Sequence, residues 1–219
     1  MTPRPFGDGL WLAEGPPVRA ALGFLYPTRM AFMAHGAGVI AWSPTDLTPA
    51  VEEGLAALPP VVGIVSPTRL HDTWLRDWQA AFPRARVWGP PDLRVAGLRV
   101  DHDVAALPEG FDVVRWPHLA PEAVIHHRRS RTVLVADLVQ QLSPRWFEGW
   151  RRWVAWADRM TAPRPEMPRK FRLATRDRAA ARAARDRMLR WEPERLVLAH
   201  GPVLERGAKA ALDHATRWL

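Results

Sequence analysis

The sequence predicts a layered α/β sandwich, folded as a single domain over residues 1–219. Three observations predict it. Strand-like segments come in two batches, parted by a Gly89-Pro90-Pro91-Asp92 break. Helical segments are inserted among the strands and appended after them. One apolar run, Val61–Val65, is continuous, as a strand covered on both faces is.

The elements follow in order. Gly9–Ala13 reads as a first strand after a Gly-Asp-Gly turn. Arg29–Ala34 and Val39–Trp42 flank His35-Gly36-Ala37-Gly38, a hairpin with glycine turn chemistry. Thr48 caps a helix to about Leu58, which Pro59-Pro60 stops, and Glu52 and Glu53 sit in its early turns where the helix dipole favours acids. A loop from Ser66 leads to a helix at about Asp72–Ala81, with Trp74, Trp78 and Phe82 on one face. Strands follow at Arg84–Trp88, Leu98–His102, Asp112–Trp116, Ala123–His127 and Thr132–Ala136. Pro144 opens a tryptophan-rich helix to about Asp158, Thr175 caps a helix to about Trp191, Leu196–Ala199 is a strand, and 204–219 a closing helix.

Composition narrows the chemistry. With 47% hydrophobic and 25% charged residues the chain has globular content, and its length buries enough surface to need no staple. It has no cysteine, which excludes disulfides, thiolate zinc sites, iron–sulfur clusters and cysteine nucleophiles. Apolar runs reach about six or seven residues, short of a bilayer span, and the N-terminus carries no apolar stretch of the signal-peptide kind. A cytoplasmic location with no membrane partner is the expectation. The net charge is +8, and residues 169–195 hold ten basic and four acidic side chains, either a solvated helix face with paired charges or a basic patch for anions.

Three apolar strands end in ionisable residues. Val61–Val65 runs into Ser66-Pro67-Thr68-Arg69-Leu70-His71-Asp72, Thr132–Ala136 ends in Asp137, and Leu196–Ala199 ends in His200-Gly201. Ligands gather beyond the carboxyl ends of strands in layered α/β folds. Without cysteine, histidine and carboxylate are the ligands for zinc, iron or manganese, and a cation so held acidifies water. Each residue also has a plainer role open to it: Asp72 as a helix cap, Asp137 as a turn residue, His200 as a buried hydrogen-bonded histidine. His126-His127 straddle a strand end, one in and one out, and His35, His102 and His214 read as turn or surface residues. Trp146, Trp150, Trp153 and Trp156 fall along one helical stripe, which reads as core packing; the alternative is an exposed surface for a partner or for a second copy of the chain through helix 144–158.

The order of these motifs resembles the metallo-β-lactamase superfamily, and within it a family defined only as a domain of unknown function. The resemblance spans nearly the whole chain. It rests on Arg29-Met30, Trp42-Ser43-Pro44, the 66–72 loop, Phe82-Pro83, residues 130–138 and Ala199-His200-Gly201-Pro202. It implies a four-layer αβ/βα sandwich with a metal site built from a His-x-His-x-Asp-His loop, a later histidine, a bridging aspartate and a final histidine. Carried over, the loop falls on Pro67–Asp72, so Pro67 and Arg69 replace its first two histidines and its Asp-His pair is reversed to His71-Asp72. His118 stands at the later histidine, Asp137 at the bridging aspartate and His200 at the final histidine.

The resemblance therefore implies one lost metal position, where Arg69 places a permanent cation. It also implies one retained position of His71, Asp72, Asp137 and His200 for a single divalent ion. Two readings follow. One is a mononuclear metal-dependent hydrolase of an unidentified small molecule, with Asp137 or His118 as proton acceptor. The other is a non-catalytic binding module whose metal charge Arg69 replaces and whose Arg-rich stretch 169–195 takes an acidic or nucleic-acid partner.

Overall fold

The computed structural model describes residues 1–118 and 120–219. Among them, two sheets carry six α-helices. The first sheet lays its strands side by side in chain order: β1 (Arg4–Gly7), β2 (Leu10–Arg19), β3 (Leu25–His35), β4 (Gly38–Trp42), β5 (Val61–Val65), β6 (Arg86–Gly89) and β7 (His102–Asp103). Its pairings are antiparallel through β4 and parallel beyond. The parallel strands need crossovers, supplied by α1 (Pro49–Leu55) and α2 (Leu75–Ala81) for the first two pairs and by residues 90–101, without a helix, for β6 to β7. The second sheet comprises β8 (Phe111–Trp116), β9 (Glu122–His127), β10 (Thr132–Val135) and β11 (Arg195–Leu198), in the order β11-β10-β9-β8. Between β10 and β11 the chain makes a long excursion through α3 (Gly149–Ala157), α4 (Arg169–Ala174) and α5 (Arg178–Arg190); α6 (Ala208–Thr216) closes it.

Side-chain alternation builds the layers. Ile40, Trp42, Val65 and Trp88 face Leu134, Ala136, Val197 and Ala199 across the inter-sheet core. Their neighbours Val39, Ala41, Ile64 and Val87 point the other way, onto Val51 of α1 and Leu75 and Trp78 of α2. In the second sheet Val133, Val135, Leu196 and Leu198 turn outward onto α5 and α6. Both faces of each central strand are thus apolar, and the result is the four-layer αβ/βα sandwich that the sequence implies.

Several elements depart from the sequence reading. The expected strand at Leu98–His102 contracts to the two residues of β7, because the Asp101 carboxylate takes the Val87 amide at 2.9 Å, a donor that a strand carbonyl would otherwise take. The helix expected from Asp72 begins at Leu75, with Trp74 at its cap position and no side-chain cap. The tryptophan helix begins at Gly149 rather than Pro144, because Gly149 is in the left-handed region (φ 55°) and separates it from the preceding turn. Thr175 does not cap α5; its hydroxyl donates to the Phe171 carbonyl at the end of α4, and Asp177 caps α5 through the Ala180 amide. The closing helix is shorter than expected because Leu204 pairs back onto Leu196.

Two burial readings are also corrected. His126 and His127 are both buried: His126 bonds Asp112 and stacks on Trp191, and His127 bonds Ser130. The tryptophan stripe is not core. Trp146, Trp150, Trp153 and Trp156 are all exposed, and Ala155 is the residue of α3 that faces inward.

Part of the charge in the basic stretch is spent within the chain. Arg185 pairs with Asp213, Arg195 donates to the Ser130 carbonyl at 2.9 Å, and Arg172 pairs with Glu166. Glu166 is a hub, buried to 2% side-chain exposure, that also meets Arg159 (2.8 Å), Arg217 (2.7 Å) and His214 (3.2 Å). Burial raises its pKa, but Arg217, Arg159 and Arg172 outweigh that and hold it at about 2.

Candidate metal centre

The parallel register of β10 and β11 builds half of the site. Thr132 lies opposite Arg195 and Val135 opposite Leu198, and the next amide continues the ladder, from Ala199 N to the Val135 carbonyl at 3.0 Å. Two residues further on, that register sets Asp137 beside His200. Asp137 Oδ1 is 3.4 Å from His200 Nε2. The first sheet supplies the other half. The Ser66 hydroxyl donates to the carbonyls of Thr68 (2.8 Å) and His71 (3.0 Å), folding the loop after β5 back on itself. His71 Nε2 then lies 3.6 Å from Asp137 Oδ2.

The far sides of both rings are occupied. His200 Nδ1 donates to the Pro27 carbonyl at 2.7 Å, and His71 Nδ1 meets the Ser43 hydroxyl at 2.7 Å. A carbonyl only accepts, so His200 carries its proton on Nδ1 and a neutral ring turns a bare lone pair toward the Asp137 carboxylate. Lone pair against carboxylate is repulsive, and a proton or a cation between them relieves it. Ser43 takes either role, so His71 presents Nε2 as donor or as ligand. One ligand atom from each of His71, Asp137 and His200 lies within 4.8 Å of the others. Two imidazole nitrogens and a carboxylate, with the rings oriented from behind by oxygen partners, form a donor set that fits one divalent ion.

Surrounding groups hold this arrangement. Ser43 follows β4 in a strained left-handed conformation (φ 49°), with its amide bonded to the Val65 carbonyl at 2.9 Å. Buried Arg29 reaches from β3 to the carbonyls of Leu198 and Gly201 (2.6 Å to the latter), with its other side on Glu14 at 2.9 Å, so it bolts the two sheets together beside His200. Glu122 is fully buried and accepts from the amides of Ala136 (2.8 Å), Asp137 (2.8 Å) and Leu138 (2.7 Å). Burial and the Asp137 charge push its carboxyl up to about 8, against the pull of those three amides. Burial raises Asp137, but when the His200 and His71 rings carry protons on the nitrogens facing it, their hydrogen bonds and charge outweigh this and hold it well below the usual carboxylate range.

The remaining candidates occupy distinct places. His118 is buried against Phe171 with ring centroids 4.7 Å apart, and its Nδ1 accepts from the Ala120 amide at 3.1 Å. Its proton is therefore on Nε2, a buried atom with no hydrogen-bond partner. Burial lowers its pKa to about 4, so the ring is neutral at ordinary pH. Asp72 lies beside His71 on the wall of the adjoining cavity, outside the converging trio. Arg69 lines that cavity as well and pairs with Asp92 at 3.5 Å. The cavity is about 980 Å³. Phe24, Tyr26, Met160 and Phe171 supply apolar wall, and Arg19, Arg69, Arg169 and Lys170 supply positive charge. Lys170 is steadied by the Tyr26 hydroxyl at 3.0 Å and by Asp158 at 3.4 Å.

Solved structures share this architecture. The DIM-1 metallo-β-lactamase exposed to ceftazidime superposes with a TM-score of 0.67 at 12% identity, over 98% of this chain and 94% of its own. The FIM-1 enzyme from Pseudomonas aeruginosa, in a mono-zinc form, gives 0.63 at 13% identity over 99% and 95%. A metallo-β-lactamase from Pontibacter korlensis gives 0.61 at 14% identity over 98% and 96%. The chain has the metallo-β-lactamase fold. No protein-family model and no curated protein matches it.

Within this metallo-β-lactamase fold, the strand-end signal located His71, Asp137 and His200. It missed what orients them. Ser43 and Arg29 stand in stretches that carried the resemblance, yet no local signal assigns them a role. Glu122 and the Pro27 carbonyl left no signal, since a buried carboxylate on backbone amides is defined by packing alone.

Proposed function

We propose that the protein is a hydrolase that works with one divalent transition metal (zinc, iron or manganese) held by His71, Asp137 and His200. One observation carries this reading: two imidazole Nε2 atoms face one buried carboxylate at the floor of a large cavity, each ring with its Nδ1 engaged from behind. The mono-zinc form of one structural neighbour is consistent with a single-ion site on this fold. When bound, the ion supplies a Lewis acid that polarises the scissile group and acidifies water.

The chain's own residues divide the remaining work. Asp137 holds the negative charge of the centre and takes the proton released in the attack. His118 is not the proton acceptor in this reading, because its Nδ1 is already engaged by the Ala120 amide. The apolar walls exclude water from an apolar substrate body, and the four cations orient a negative group on it. An ester, amide or phosphoester carrying both features is the substrate class. Elemental analysis of protein purified without a metal-affinity tag tests the proposal. About one equivalent of transition metal per chain is expected, falling below about a tenth in Asp137→Asn and His200→Ala. A wild-type protein that holds no such metal after incubation with zinc or iron overturns it.

A further inference from the structure

We infer that the face around α3 docks onto a negatively charged lipid surface, with the mouth of the cavity opening at that surface. The inference is independent of whether the centre holds a metal. On α3, Trp150, Trp153, Val154 and Trp156 occupy the side of the helix opposite buried Ala155, at 100° per residue. Trp153 is 64% exposed and Trp156 69%. The helix has its apolar side outward, the reverse of a helix packed on a core.

Two further side chains extend this face to the cavity. Leu22 is 73% exposed at the tip of a 3₁₀ turn, Ala21–Gly23, and Leu173 on α4 is 84% exposed. With Val154, both line the cavity. Leu22 is held in the left-handed region (φ 57°), an unfavourable conformation for a branched side chain, and the Arg151 guanidinium donates to its carbonyl at 2.9 Å. The turn thus spends backbone strain to project a leucine into solvent beside the tryptophans. Isolated exposed apolar residues are ordinary, but this many on one helix side and around the cavity it borders mark a surface that is covered in use.

Charge selects the occupant. Residues 144–159 carry four arginines against two acids; Arg159 pairs with Glu166 and Asp158 with Lys170, which leaves Arg145, Arg151 and Arg152 against Glu148. The Arg151 and Arg152 guanidinium groups lie over the rings of Trp150 (4.8 Å) and Trp153 (5.2 Å), so cation and aromatic face outward together. A second copy of the chain would set these arginines against themselves. A nucleic acid would stack on the tryptophans, but it would leave Leu22, Val154 and Leu173 against a hydrated phosphate backbone. Anionic headgroups over acyl chains satisfy both sets: tryptophan and arginine suit the headgroup level, and leucine the acyl boundary beneath it. The net charge of +8 adds long-range attraction. A cavity with apolar walls opening at that boundary is placed to take an amphiphile directly from the lipid.

Vesicle flotation tests the proposal with the full chain. Vesicles of about one-third phosphatidylglycerol in phosphatidylcholine are expected to carry the protein at least about tenfold more strongly than pure phosphatidylcholine, and the difference should shrink at high salt. The double variant Trp153→Ser/Trp156→Ser is expected to lose about tenfold or more of this binding with its circular dichroism unchanged. Arg152→Glu and Leu173→Asp, which sit at exposed positions, provide independent losses. Wild type that does not float with anionic vesicles, or a double variant that floats equally well, overturns the proposal. So does a wild-type dimer in sedimentation that the double variant dissolves, or tryptophan-dependent oligonucleotide binding without vesicle binding.

Discussion

The Ser43 hydroxyl lies 2.7 Å behind His71 Nδ1 and so fixes which nitrogen of that ring faces Asp137. Ser43→Ala leaves the three donors in place but removes the partner that orients one of them. Metal affinity should fall about 10- to 100-fold, the usual effect of losing such a partner. Competition with a chromophoric chelator measures it, and unchanged affinity would show that His71 is oriented without the serine.

Glu122 should matter for stability out of proportion to its distance from any ligand. Glu122→Gln keeps the shape but turns an NH₂ toward backbone amides that now lack an acceptor. The expected cost is about 2–4 kcal/mol, which in a chain of this size lowers the thermal midpoint by roughly 4–16 °C. Calorimetry of the two proteins at about pH 9, above the value near 8 to which burial raises the Glu122 carboxyl, decides it.

Acid should destabilise the fold in two windows. Burial, the largest influence on His127, lowers its pKa from 6.5 to about 4. The folded state thus favours the neutral ring, and that stability is present above pH 6.5 and lost as the pH falls towards 4. Glu166 is held at about 2 by its arginines. Its contribution is present above the ordinary carboxylate value and lost as the pH falls from about 4.5 towards 2. Denaturant midpoints measured from pH 7 to 3 should show less loss in His127→Gln over the upper window and less in Glu166→Gln over the lower. Parallel curves for wild type and variants would contradict the assignment.

Arg29→Met should disturb the centre from outside it. Removing the guanidinium frees the carbonyls of Leu198 and Gly201, which flank His200, and leaves Glu14 without that partner. A loss of about 1–3 kcal/mol is expected for the buried polar groups left unpaired, together with weaker metal retention. Thermal melts with and without added zinc separate the two effects, and a variant that is destabilised but binds metal normally would restrict Arg29 to bracing the sheets.

Much of this architecture was legible because strands covered on both faces write themselves into continuous apolar runs. Val61–Val65, Thr132–Val135 and Arg195–Leu198 are strands in the structure, and each run is followed by a residue of the centre. Where local and tertiary forces compete, the reading drifted. Pro144 is a good helix opener in isolation, yet the left-handed Gly149 resets the start. Spacing of the tryptophans revealed the stripe on α3 but not its direction, since amphipathic periodicity is the same for a face that packs inward and one that points out. The histidine pair at 126–127 misled for a related reason: alternation predicts opposite faces, and here both faces of the strand are covered.

The pairing of β10 with β11 has a consequence for how such a protein can change. Asp137 and His200 are neighbours because two adjacent strands stop level with each other, and the sixty or so intervening residues do not enter that alignment. Those same residues supply Val154, Met160, Lys170, Phe171 and Leu173 to the cavity. Chemistry and selectivity are thus encoded in separate stretches, and the excursion can be rewritten, lengthened or exchanged to suit a new molecule while the two strand ends keep their appointment.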